Sequence, residues 1–131
     1  MARRIADNVI SVQTPLDVSF FSAWLDFTEP LHGLTKKEKL VMSYYLKEYY
    51  DLSKVITDDA ILAQVLASQA TKQKIMEACN LEVSNLRVIL HKFKKNRAMV
   101  DGVIDPKLIP ALNQEVKDSG EFRLMIRFSF E

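Results

Sequence analysis

The spacing of apolar residues along the chain changes period several times, and each change predicts an element. In "NVISVQTP", residues 8 to 15, Ile10 and Val12 alternate with Ser11 and Gln13 until Thr14-Pro15 stops the run, which predicts a short strand. From Asp17, a suitable N-cap, Phe20, Phe21, Trp24, Leu25 and Phe27 recur at helical spacing, and Pro30 bounds the helix. An aromatic stripe of this kind reads as core rather than as a ligand pocket. Thr35 and Glu38 have the spacing of a capping box, so a helix starts at Lys36 and runs to about Tyr50, turning Leu40, Val41, Tyr44, Tyr45 and Leu46 inward in part. Thr57-Asp58 opens a shorter helix through "DAILAQVLAS", and Ser68 or Thr71 opens another through "KQKIMEAC".

In "CNLEVSNLRV", Asn80 suits the left-handed conformation that ends a helix, and Ser84 or Asn85 can cap the next one. A link this short is the geometry of a helix-turn-helix over about residues 69 to 96. Its second helix, "NLRVILHKFKKN", buries Leu86, Ile89, Leu90 and Phe93 and leaves Asn85, Arg87, Val88, His91, Lys92 and Lys95 on the other side. Asn96 suits a stop. "RAMVDGVID", about residues 97 to 105, then sets two short apolar runs around Asp-Gly, the favoured pair for a type I′ hairpin turn, and reads as a wing. After the polar "NQEVKDSGE", residues 121 to 130 alternate strictly: Phe122, Leu124, Ile126, Phe128 and Phe130 against Arg123, Met125, Arg127 and Ser129. That is a strand with one buried face. Its apolar stripe needs a cover and its amides a neighbour, and pairing with the N-terminal strand supplies one.

The predicted fold is therefore mainly α: a winged helix-turn-helix core with a small β-sheet that includes N- and C-terminal strands, in a single domain over residues 1–131. A chain of 131 residues, 48% hydrophobic, can bury one real core, and seven Gly and Pro together leave little room for disordered tails. No apolar run approaches a membrane span and no signal-peptide pattern opens the chain. A lone Cys79, four residues after Ile75 in an apolar pattern, suits a buried small hydrophobe in a reducing compartment. The expected location is cytoplasmic.

Charge changes the picture. The formal net charge is +1, yet Arg87, Lys92, Lys94, Lys95 and Arg97 bring +5 to residues 83 to 100 with no acid among them, leaving −4 for the rest. Lysines in a last helical turn complement the helix dipole wherever they occur, but that does not account for Arg87 or Arg97. In a winged helix the second helix enters the major groove and the wing lies along the backbone or in the minor groove of double-stranded DNA. Lys92, Lys94, Lys95 and Arg97, at the end of the helix and the root of the wing, are the candidate phosphate contacts; Ser84, Asn85, Arg87, Val88 and His91 are the candidate base contacts.

Two resemblances enter through quoted segments. "LTKKEKLVMSYYL" resembles the Leu-Thr-x-x-Glu opening of the DNA-binding region in bacterial sigma factors and LuxR-type regulators, although the longer loop and extra helix at residues 51 to 66 depart from both. "FFSAWLDFTEPLHGLTKKEK", "LSKVITDDAILAQVL" and "VILHKFKKNRAMVDGVIDPKLIPAL" resemble small helix-turn-helix-like proteins of tailed bacteriophages, the crAss-like phages included. This resemblance implies a phage setting and carries over no catalytic or binding residue. The expected function is a non-enzymatic DNA-binding protein, a phage transcription or replication accessory factor in the host cytoplasm. The alternative is a virion structural or assembly protein whose terminal strands contact or exchange with a protein partner or another copy. Enzyme chemistry has no anchor: there is no phosphate-cradling Gly-rich loop, no HExxH and no Cys pair, and adjacent Asp58 and Asp59 diverge on a helix as a cap and its neighbour. No cofactor and no metal is expected, because neither His32 nor His91 has a His or Cys partner at metal-ligand spacing.

Overall fold

A computed structural model describes residues 9–131. Most helix starts follow from local side-chain chemistry. The Asp17 carboxylate accepts from the Ser19 amide and opens α1 (Val18–Phe27). Pro30 does not end that helix; it sits in the first turn of a separate short one, α2 (Glu29–His32), where its missing N–H costs nothing. The expected capping box is complete: the Thr35 hydroxyl accepts from the Glu38 amide and the Glu38 carboxylate from the Thr35 amide, opening α3 (Lys36–Ser53). Asp58 caps α4 (Asp59–Leu66), and Ser68 caps α5 (Gln69–Cys79). Between these two helices the Val65 carbonyl accepts from both the Ser68 and the Thr71 hydroxyl, at 2.6 and 2.7 Å, which satisfies the buried Thr71.

Next comes α6 (Val83–Lys95), only three residues after α5. Asn80 ends α5 in the left-handed conformation as expected, with φ 53°, and the Leu81 amide donates back to the Met76 carbonyl. The start of α6 departs from expectation. Its N-cap is Glu82, with no side-chain cap bond, so Ser84 and Asn85 lie in the first turn rather than before it. The helix closes in a left-handed turn at Arg97, φ 63°, with the Ala98 amide donating to the Phe93 carbonyl at 2.8 Å. An antiparallel pair follows, β1 (Met99–Val100) and β2 (Val103–Ile104), in which Met99 faces Ile104 and Val100 faces Val103. Asp101 and Gly102 both take positive φ, 50° and 82°, as a type I′ turn requires. A 3₁₀ turn (Pro106–Leu108) and α7 (Gln114–Ser119) complete the helical part.

The long α3 is the spine, with α1, α4 and α5 packed on it and α6 against β1. Phe21, Leu25, Val41, Met42, Tyr45, Leu46, Leu66, Ile75 and Phe93 are the most buried apolar side chains. Trp24 spans a long sequence separation, donating from Nε1 to the Leu108 carbonyl at 2.8 Å. Phe21 and Leu25 of the aromatic stripe in α1 are thus core, with Phe20 and Trp24 half-buried against it, as the spacing predicts; Phe27, at the helix end, is exposed instead.

The fold is mainly helical with one small two-stranded antiparallel sheet among the described residues. The terminal strands are not formed, which corrects the sequence expectation. Residues 9 to 13 and 121 to 130 have no strand pairing; Asn8 and the rest of the chain's start lie outside the described residues. Alternation decides which side chains would share a face, but a strand also needs a ladder, and the hairpin is only two residues long on each side. The polar stretch "NQEVKDSGE", in which the sequence predicts no element, holds α7: Asn113 accepts from the Val116 amide and Gly120 ends the helix at φ 73°.

Candidate nucleic-acid interface

Leu86, Ile89 and Phe93 bury one side of α6, and Leu90 is half-buried beside them. That anchoring fixes which side chains face outward. At about 100° per residue, Ser84, Val88, His91 and Lys95 fall within a sector of roughly 60° opposite the buried side, and all four are exposed. Arg87 and Lys94 lie on the flank toward the hairpin, where with His91 and Lys72 they rim a groove of about 340 Å³ between α6, the start of α5 and the hairpin. Tyr45, Leu86 and Met99 are among its apolar lining, and Asp101 is the acid in it. Asn85 and Lys92 share the opposite flank.

All nine candidate residues are exposed, yet they do not act as two neat sets. Lys92 Nζ stands 3.6 Å from Glu38 Oε2. The other oxygen of Glu38, Oε1, accepts from the Thr35 amide at 3.0 Å, so one carboxylate both caps α3 and faces the basic helix. Lys92 is therefore partly neutralised within the protein, while Lys94, Lys95 and Arg97 have no acidic partner within 4.0 Å among the described residues. Sequence reasoning missed Glu38 because the capping box accounts for it completely in one dimension. It missed Lys72 because that residue belongs to α5, and only folding brings it to the groove.

The hairpin turn differs from the wing expected to lie on DNA. A Cβ on Gly102 would stand 2.0 Å from the Ala63 carbonyl oxygen and 3.1 Å from the Ala67 nitrogen. The tip is thus seated on the backbone at the end of α4, and the hairpin presents Asp101, Val103 and the root residue Arg97 to solvent.

His32 is taken up structurally. Its Nδ1 accepts from the Leu34 amide at 2.9 Å, so Nε2 carries the hydrogen and donates to the Leu25 carbonyl at 2.8 Å. Cys79 is half-buried, and burial pushes its thiol up to about 11, away from the thiolate that nucleophilic chemistry needs. Among the described residues no group of three or more His, Cys, Asp and Glu could hold a metal ion, and no helix is long and apolar enough to cross a membrane. No protein-family model, curated protein or solved structure matches the chain.

Proposed function

We propose that the protein is a non-enzymatic, duplex DNA-binding protein of winged helix-turn-helix type, with α5 and α6 as the two helices and α6 as the one that enters the major groove. The observation that carries this reading is the outward face of α6: Ser84, Val88, His91 and Lys95 exposed along one stripe, Arg87 and Lys94 beside it, and Leu86, Ile89 and Phe93 holding the helix from behind. A rigid helix face that mixes hydrogen-bonding groups with cations suits base-edge reading combined with phosphate attraction.

Ser84, Asn85, Arg87, Val88 and His91 are the base-reading set, Asn85 standing nearest the edge of the face. Lys94, Lys95 and Arg97 supply the phosphate contacts, and Lys92, paired to Glu38, contributes less. The role in phage transcription or replication rests on the sequence resemblance alone.

The test is fluorescence anisotropy on labelled duplexes from 50 to 200 mM salt, roughly the range over which phosphate contacts dominate affinity. Replacing Lys94, Lys95 and Arg97 together by Gln should flatten the slope of log affinity against log salt by about three units, near one per lost contact. Lys92→Gln should change it by less than any one of the three. Wild-type protein that binds no duplex at low salt, or a folded triple variant with unchanged affinity, overturns the reading.

A further inference from the structure

Beyond the DNA-binding face, the C-terminal arm over residues 121 to 131 carries an inference of its own. Its root is fixed: Phe122 packs edge-on against Phe20 and Trp24, with ring centroids 5.4 and 5.5 Å apart. Past that anchor the arm makes no backbone hydrogen bond to the body among the described residues. Leu124, Ile126, Phe128 and Phe130 are 45, 68, 79 and 95% exposed. Such a row of alternating apolar side chains, with no backbone partner past Phe122 among the described residues, is the exposed edge that recruits another strand.

Among the described residues the body offers no host for it. A ten-residue strand spans roughly 33 Å, and an edge of two residues about 7 Å; β1 and β2 are two residues each. The partner must bring a strand of equal length, and a second copy of this arm has it. Charge and apolar pairing then select the register. Parallel, in-register arms set Arg123 on Arg123 and Arg127 on Arg127. Antiparallel arms with the two-fold axis at Arg127 oppose that arginine to itself, and with the axis at Met125 they oppose Arg123 to Arg127. With the axis at Ile126, Arg127 faces Met125, Arg123 faces Ser129, Leu124 faces Phe128, Phe122 faces Phe130 and Ile126 meets its own copy, so the whole apolar stripe is matched, at the cost of Glu121 opposite Glu131 at each end. An axis at Leu124 also separates the arginines and sets Arg127 on Glu121, but it leaves both Phe128 and Phe130 without an apolar partner.

We propose that two copies of the protein pair through their C-terminal arms as an antiparallel, two-fold ribbon centred on Ile126. Because Phe122 is docked on α1, the ribbon's apolar face turns toward the body, and the partner's Phe130 comes to lie beside the Phe20 and Trp24 rings.

The experiment joins light scattering with register-specific crosslinking on the full chain in a Cys79→Ala background. The background protein should have the mass of a dimer, and Ile126→Arg, which opposes two cations at the axis, should have that of a monomer that retains its helical circular-dichroism signal. Ile126→Cys should oxidise to a covalent dimer, since directly opposed residues in an antiparallel pair have Cα atoms about 4.5 to 5.5 Å apart, within disulfide reach. Phe130→Cys should not, although Phe130 is the more exposed and the better target for random collision. A monomeric background protein, an Ile126→Arg variant that stays dimeric, or crosslinking at position 130 as fast as at 126 overturns the proposal.

Discussion

Tyr45 and Gly102 are two residues whose environment sets a measurable cost. Burial pushes the Tyr45 phenol up to about 12, with nearby Cys79 adding to it, and burial alone pushes the Cys79 thiol up to about 11. Both are neutral when protonated. An unfolded chain would lose these protons near pH 10 and pH 9, whereas the folded one keeps them. Stability should therefore be intact below pH 9 and fall as pH rises from there to about 12. Tyr45→Phe should remove the phenol's share, on the order of 2 kcal/mol across the upper part of that window; urea unfolding at stepped pH measures it. An equally steep decline in Tyr45→Phe would mean that other groups cause it. Gly102→Ala should destabilise by about 3 kcal/mol or more, since strain at positive φ adds to a backbone overlap that cannot relax. Gly33→Ala, at φ 63° with nothing within 4 Å of the added carbon, isolates the strain and should cost only about 1 kcal/mol.

Helix starts were the most legible elements because Asp17, Thr35, Asp58 and Ser68 are good caps and each makes the expected bond. The start of α6 was not, because Glu82 makes no side-chain cap bond and better capping residues follow it at Ser84 and Asn85. Helix α7 was hidden for another reason: Val116 is its one apolar residue, too little for any period to register. The far end of α6 gives the prediction at this scale. Arg97 occupies a left-handed position where glycine is normal, so Arg97→Gly should raise stability by about 1 kcal/mol. The same change should weaken duplex binding if the side chain meets phosphate. A thermal melt and an anisotropy titration on one sample separate the two, and a variant that melts no higher would show that the turn bears no strain at Arg97.

For the whole molecule, the sequence made the helical core and the hairpin legible and misled about the chain's ends. The core follows from periodicity, because each apolar face is specified within its own element. Terminal strands depend on partners that alternation does not name. Ile10 and Val12 are 80 and 52% exposed and unpaired, so replacing both by Asp should leave the melting temperature within about 1 °C, as surface changes do. A drop of several degrees would mean that this segment packs on the body after all. The basic face was legible as charge but not as grouping: five cations close in sequence divide in space, Lys92 held by Glu38, Arg87 and Lys94 on the hairpin flank, Arg97 at the hairpin's root and Lys95 outward.

The seating of Gly102 on α4 also limits how this protein can change over generations. Hairpin tips are ordinarily where chains accept added residues. Here an insertion between Asp101 and Gly102 would lift the turn off Ala63 and Ala67, and both strands with it. A lineage that acquired a longer hairpin would have to shorten α4 first; added residues fit more readily at Gly33 or Gly120, where the space beside the backbone is open.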